Sequence, residues 1–317
     1  MKAFISATSF SNPRNAAAQK LASGFFDEIV YNELGVPLRG SDILSHLEGC
    51  DAYIAGLDYL TADVIEAMPE SVKVISRYGV GVDRVDLAAA RRRNITVTNT
   101  PGANSTAVCE LAFALMLAAA RNLPQLHNAV SAGQWPRSEG MELAGKTLGI
   151  VGLGAIGKRL AVRAKAFEME VAAYDPYFDE AFSAAHGIQK MELDALLRKA
   201  DIVSLHVPLT EETFHLIDAK RIAQMKTGAV IINTARGGLI DEAAAAEAIR
   251  SGKLGGLGLD AFEQEPLIDS PLKGLPHVIF TPHTGAHTSE ATEKMAMMSV
   301  QNAIQVLTDQ HCPYILK

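Results

Sequence analysis

Disulfides, metal knuckles and membrane spans are what this sequence has least material for. Only three of its 317 residues are cysteine, Cys50, Cys109 and Cys312. An odd number with no close pair excludes a disulfide framework and a CxxC metal knuckle, so the three read as buried thiols and no metal site is expected. The longest apolar run, Leu111 to Ala120, is about ten residues, half of the ~20 that a bilayer-spanning helix needs. No transmembrane helix and no membrane partner are therefore expected. Positive charge is short as well: the formal net charge is −7 and no Lys/Arg block exceeds Arg91, Arg92 and Arg93. That balance disfavours nucleic acid and anionic membranes as partners, and leaves small anionic ligands to local cations. After Met1 to Ile5 the chain turns polar at Ser6 with no small-residue cleavage site, which predicts a cytoplasmic protein.

What is present in quantity is globular. With 48% hydrophobic and 21% charged residues over 317 positions, the chain can bury a large core and suits two domains of roughly 100 to 200 residues each. Through Val97, short extended runs (Ala3 to Ile5, Glu28 to Val30, Ala52 to Ile54, Lys73 to Ile75, Ile95 to Val97) alternate with helix formers at Asn15 to Gly24, Asp42 to Leu47, Ala62 to Met68 and Leu87 to Arg92. Such alternation predicts a parallel, doubly wound sheet. The NTPG at Asn99 to Gly102 is the candidate hinge, and Asn104, Ser105 or Thr106 can cap the Ala-rich helix that ends near Arg121. A second alternation starts at Lys146 with six predicted strands: TLGIVG, EVAAYD, DIVSLHV, AVIINTA, GGLGLDAF and VIFTPH. The tail, Glu290 to Asp309, reads as an amphipathic helix returning to the first unit.

The strand Thr147 to Val151 runs into Gly152, Leu153, Gly154, Ala155, Ile156 and Gly157 and then a helical segment. GxGxxG at a strand-to-helix turn suits a dinucleotide. Gly152 allows the tight turn, Gly154 lets pyrophosphate approach the backbone N–H groups of the helix N-terminus, and Gly157 lets helix and strand pack closely. Asp175 ends the next strand, 23 residues after Gly152, where a carboxylate accepts from a ribose diol and repels a 2′-phosphate. A glycine-rich turn of structural use is the bland alternative. Strand, helix and acid in register favour NAD.

Three polar residues stand at predicted strand ends: Arg236 after VIINTA, Glu265 after LGLDAF and His283 after VIFTP. Carboxyl ends of parallel strands are where α/β sheets place ligands. An Arg fork can hold a carboxylate and polarise an adjacent carbonyl, a His can carry the proton that accompanies hydride transfer, and a Glu beside it stabilises imidazolium. Singly, each residue has an ordinary structural use as a salt bridge, a solvated acid or a satisfied histidine.

The segments ISRYGVGVDRVDL (Ile75 to Leu87), NTPGANSTAVCELAFALML, INTARGGLIDE (Ile232 to Glu242), LDAFEQEP (Leu259 to Pro266) and TPHTGAHT (Thr281 to Thr288) resemble, in order and spacing, the NAD-dependent D-2-hydroxyacid dehydrogenases. The match covers about residues 50 to 300 and is nearest the short phosphoglycerate dehydrogenase-like branch. The resemblance implies two doubly wound parallel-sheet α/β domains with the active site in the cleft between them. A discontinuous flavodoxin-like substrate domain would hold residues 1–99 and 287–317, and a Rossmann NAD-binding domain residues 100–286. It implies Arg236, Glu265 and His283 as the catalytic trio, with Glu263 the weaker of two candidate acids. Tyr78, Gly79, Val80 and Gly81 would hold the substrate carboxylate through backbone N–H groups, alongside Arg236 and His283. Gly152, Gly154, Ala155, Ile156, Gly157, Asp175, His206, Pro208, Thr213, Thr234, Ala235, Arg236, Asp260, His283 and Gly285 would line the cofactor. Hydride would pass between C2 of a D-2-hydroxy acid and the nicotinamide while His283 handles the hydroxyl proton.

The resemblance also implies a homodimer, through the Ala107 to Ala120 helix and the region of Trp135. Longer phosphoglycerate dehydrogenases carry an arginine in the segment matching Ala55 to Leu60. This chain has Asp58 there, expected to repel a phosphate, with Arg77 as one nearby cation. Glyoxylate or hydroxypyruvate reduction is accordingly the main alternative to a 3-phosphoglycerate activity, and an NAD(H)-sensing corepressor-like protein the alternative outside enzymes. A chain ending at Lys317 predicts no serine feedback through added C-terminal domains, and Glu265 in place of the Gln of formate-oxidising relatives argues against formate.

Overall fold

The computed structural model describes residues 1–316 and divides them into two compact units, 1–104 with 286–316 and 105–285. In the first, β1 (Lys2–Ile5), β2 (Glu28–Tyr31), β3 (Ala52–Ala55), β4 (Val74–Arg77) and β5 (Thr96–Thr98) form one all-parallel sheet in the order β2-β1-β3-β4-β5. That is the flavodoxin order. Helices cover both faces of its central strands, and every residue of β3 and β4 is buried, Ser76 and Arg77 of β4 included. The crossover helices are α1 (Ala16–Phe25), α2 (Ser41–His46), α3 (Ala62–Glu66) and α4 (Leu87–Arg92).

The second unit opens with α5 (Ser105–Ala120) and α6 (Leu123–Ser131). Its sheet holds β6 (Thr147–Val151), β7 (Glu170–Tyr174), β8 (Gln189–Lys190), β9 (Ile202–Leu205), β10 (Ala229–Asn233), β11 (Leu254–Leu259) and β12 (Val278–Phe280), all parallel, in the order β12-β11-β10-β9-β6-β7-β8. Successive strands run outward from β6 in one direction and then, from β9, in the other, which puts the topological switch point beside β6. The helices α7 (Ala155–Ala166), α8 (Glu180–His186), α9 (Leu193–Lys199), α10 (Ala219–Gln224) and α11 (Glu242–Arg250) connect these strands. Finally α12 (Ser289–Leu307) packs on α1, β3, β4 and β5 of the first unit.

Seven strands replace the expected six. The addition, β8, has two exposed residues, too few and too polar to leave an apolar signature. The sequence places the breaks after residues 99 and 286, whereas the units divide after 104 and before 286. Residues 100–104 stay with the first unit because Thr100 N–H donates to Gly79 O (3.0 Å) and Ala103 is buried in its core. The three cysteines are buried and unpaired. No single helix among the described residues is long and apolar enough to cross a membrane. The uniform apolarity of α5 has another cause: ten of its 16 residues are buried, against α7, β10, β11 and β12 of its own unit.

Candidate active site

The turn after β6 is built by glycine. Gly152 has φ +98°, and a Cβ there would stand 2.8 Å from the His206 carbonyl. A Cβ on Gly157 would meet the Gly152 oxygen at 2.2 Å, so helix α7 can press onto the strand only without one. Gly154 is different. It precedes α7 with no side chain to cap the helix, and nothing lies within 4 Å of where its Cβ would be. Uncapped N–H groups facing open space at a helix N-terminus are an anion site, and the residues present fit a dinucleotide pyrophosphate. Ala155 and Ile156 form the first turn of α7.

Asp175 holds this turn in shape: its carboxylate accepts from Leu153 N–H and Tyr177 N–H, both at 2.7 Å. Each oxygen keeps a lone pair for a ribose hydroxyl. Among the buried polar atoms of the same unit without a protein partner are Thr234 Oγ1 and His206 Nδ1, and such orphans suit a polar ligand. By contrast, Thr213 Oγ1 is spent inside its own turn, donating to Pro208 O and accepting from Thr210 N–H, each at 2.7 Å.

His206 also lies where its ring is costly to charge. Burial pushes its pKa down to about 4, with Nε2 beside Ser204 Oγ at 2.9 Å. An unfolded chain would protonate it near the ordinary 6.5. The ring's contribution to stability is therefore intact above that pH and is lost progressively as pH falls toward about 4, with about 3 kcal/mol at stake. The urea midpoint is expected to drop between about pH 7 and about pH 4.5, and to drop less in His206→Asn. Parallel curves for the two proteins would overturn the assignment.

Three neighbouring strand ends carry the polar residues picked from the sequence. After β10, Asn233 folds the chain back: its Nδ2 donates to Arg236 O (2.8 Å) and its Oδ1 accepts from Ala235 N–H (3.1 Å), while Arg236 Nη1 donates to Ala235 O (2.7 Å). After β12, His283 sits in the left-handed region at φ +52°, a conformation that costs a non-glycine residue about 1–3 kcal/mol. Asp260, at the end of β11, holds it there. Its carboxylate is 1% exposed and accepts from Thr281 Oγ1 (2.6 Å), Thr284 N–H (2.8 Å) and Gly285 N–H (2.7 Å). A Cβ on Gly285 would lie 3.0 Å from that carboxylate.

Between these loops His283 Nδ1 meets Glu265 Oε1 at 2.8 Å, and Phe262 N–H donates to the same oxygen at 3.3 Å. A carboxylate only accepts, so Nδ1 carries the ring's hydrogen and Nε2 is the position that takes or gives a proton. The pair is partly buried, with side-chain exposures of 26% and 16%. Arg236, Glu265 and His283 thus follow three adjacent parallel strands of one unit, and the His283–Glu265 pair is a geometry that can carry general acid–base chemistry.

Residues 113–285, more than half of the chain, match the family described as D-isomer specific 2-hydroxyacid dehydrogenase, NAD binding domain. The chain belongs to this family. It is 43% identical over 285 residues to a D-3-phosphoglycerate dehydrogenase of Methanocaldococcus jannaschii, covering 89% of this chain and 54% of that one. It is 44% identical over 253 residues to a hydroxypyruvate reductase of Thermotoga maritima, covering 78% and 81%. Among solved structures, the TT0316 protein of Thermus thermophilus superimposes with a TM-score of 0.89 at 36% identity, with both chains wholly covered. The chain spans about half the length of the relatives named D-3-phosphoglycerate dehydrogenase. The solved structures account for both sheets, and the matched family accounts for NAD as the cofactor of the second unit.

In the first unit, Tyr78 is a tether, its hydroxyl donating to Thr292 O at 3.0 Å and lying 3.1 Å from Ser9 Oγ. The carbonyls of Gly79, Val80 and Gly81 accept from Thr100 N–H, Asn99 Nδ2 and Arg77 Nε. Because C=O and N–H point oppositely across a trans peptide, the amides of Val80, Gly81 and Val82 face away from those partners. Gly79, at φ +148°, is a backbone conformation for glycine.

Asp58 is 1% exposed and accepts from Leu38 N–H (2.6 Å), Tyr53 Oη (2.8 Å) and Ser6 Oγ, so its oxygens are turned into the unit. Arg77 is likewise buried, with Nη1 on Ala55 O at 2.6 Å. Residues that sequence reasoning missed are Asn233, Thr281 and Glu242. An Asn two residues before a strand-end Ala is an Asx-turn signal, and only that one of the three left a local trace.

Proposed function

We propose that the chain is an NAD-dependent oxidoreductase that interconverts a D-2-hydroxy acid and its 2-keto acid, and that the acid carries a phosphate, as 3-phosphoglycerate does. The observation that carries the activity is the 2.8 Å Glu265–His283 pair on strand ends next to that of Arg236. NAD, when bound, accepts the substrate's hydride or donates one. In oxidation His283 Nε2 takes the hydroxyl proton while Glu265, on Nδ1, balances the charge the ring acquires; in reduction the same proton returns to the forming hydroxyl. Arg236 holds the carboxylate and polarises the C2 oxygen.

Relatives named D-3-phosphoglycerate dehydrogenase support the phosphorylated acid, and the hydroxypyruvate reductase match supports the runner-up, reduction of hydroxypyruvate or glyoxylate.

NADH oxidation against phosphohydroxypyruvate, hydroxypyruvate, glyoxylate and pyruvate, repeated with NADPH, decides among them. Phosphohydroxypyruvate with NADH is expected to give the highest kcat/KM, by about tenfold or more. A lead for hydroxypyruvate or glyoxylate would remove the phosphate from the proposal, and no turnover of any 2-keto acid would leave the dinucleotide-sensing reading. A homodimer belongs to the same proposal. It is supported by the exposed apolar side chains of α6 and the segment after it, Leu123, Val130 and Trp135, at 52%, 49% and 82% exposure. Light scattering at about the monomer mass of 33.9 kDa in micromolar solution would refute it.

A further inference from the structure

Two residues before Glu265 stands a second paired carboxylate. Glu263 Oε1 accepts from His215 Nε2 at 3.0 Å and from Glu242 N–H at 3.1 Å. Glu242, 7% exposed, returns the contact: its Oε1 accepts from Glu263 N–H at 2.8 Å and its Oε2 from Ser270 Oγ at 2.7 Å. Each acid thus caps the other's backbone amide. His215 is itself anchored, in the left-handed region at φ +48°, by its N–H on Gly238 O at 2.7 Å.

The exchange joins two segments that already press together. The chain after Arg236 backs onto the chain before Glu265 so closely that a Cβ on Gly237 would fall 1.8 Å from the Phe262 carbonyl carbon and 2.2 Å from Glu263 N. Arg236 precedes that contact by one residue, and Glu265 follows it by two. We propose that Glu263 and Glu242 are positioning residues, a reciprocal clamp that sets where Glu265, and through it the His283 ring, stands relative to Arg236. The proposal rests on the dehydrogenase reading above. Neither clamp residue handles a proton of the substrate. A displacement of about 1 Å between groups that must act together costs up to about 10² in rate, so the clamp acts on kcat rather than on ligand affinity.

The test compares Glu263→Ala with Glu263→Gln, whose Oε1 can still accept from both His215 and the Glu242 amide. Glu263→Ala is expected to lose about 10- to 100-fold in kcat with KM and the calorimetric Kd for NADH within about threefold of wild type. Glu263→Gln is expected to stay within about threefold in all three. A purely structural role would instead lower Tm and leave kcat per folded molecule intact. If Glu263→Ala does not fold, Glu263→Asp, one methylene short of the Glu242 amide, is read in its place. A second readout needs no turnover: the Nδ1 proton of the His283–Glu265 bond, assigned by NMR through its disappearance in His283→Asn. It is expected to be shifted or lost in Glu263→Ala and to persist in Glu263→Gln. An unshifted proton, undiminished kcat in a folded Glu263→Ala, or a Gln variant as impaired as the Ala variant would each overturn the clamp. A wild type without turnover would retire the dehydrogenase reading and leave the clamp to be judged on the proton.

Discussion

Replacing His283 by asparagine is expected to lower kcat by about 10² to 10⁴, or roughly 3 to 5 kcal/mol of transition-state stabilisation, while the protein stays folded and binds NADH as before. Asparagine is chosen because it tolerates the left-handed backbone that His283 occupies at φ +52°, so strain is not confused with chemistry. The variant keeps the loop, whose shape comes from Asp260 accepting Thr284 N–H and Gly285 N–H, and loses only the ring that bridges Glu265 to the substrate. His287, exposed and four residues on, is the internal control: His287→Asn is expected to turn over like wild type. Steady-state kinetics with calorimetric NADH binding checks both. A folded His283→Asn protein with more than about a tenth of wild-type kcat would take the proton from this residue.

Gly237→Ala is expected to be the most damaging single methyl group in the second unit. The added carbon would stand 1.8 Å from Phe262 C and 2.2 Å from both Phe262 O and Glu263 N, and all three are backbone atoms that no rotamer change can withdraw. Overpacking of this kind costs roughly 1–3 kcal/mol, and more where the obstacle is main chain. About 3 kcal/mol is therefore expected from urea unfolding. The chain can relieve the clash only by moving the Arg236 turn away from the loop that carries Glu265, so kcat below the melting transition is expected to fall by about 10² as well. Stability within about 1 kcal/mol of wild type would show that the two loops part easily and would weaken the account of their packing.

Much of this protein was legible without coordinates. The first-unit strands are legible to within a residue or two of their observed bounds, because short runs rich in apolar and β-branched residues stand there between helix formers and turn residues. The NAD turn was legible for a similar reason. Backbone that leaves no room for a Cβ has to be glycine, and a Cβ on Gly152 or on Gly157 would meet main-chain atoms at under 3 Å. Elements without such a signature were missed: β8 is two exposed residues, and none of the residues of α6 is buried.

The sequence by itself determined the two doubly wound sheets, the dinucleotide turn with Asp175, and the candidacy of Arg236, Glu265 and His283. Periodicity, glycine requirements and strand-end polarity are local properties, written in consecutive residues. Partnership is not local, and only the tertiary structure decided it. Because β12 pairs with β11, the loop after β12 arrives where Oε1 of Glu265 meets His283 Nδ1, while Glu263, two residues away, is turned to His215 and to the start of α11. The same dependence on distant neighbours made Asp58 a buried acceptor for Leu38 and Tyr53, and gave Asp260 the task of shaping the His283 loop. A carboxylate's role follows from which donors the fold brings within about 3 Å of it, and strand order, more than sequence spacing, chooses those donors.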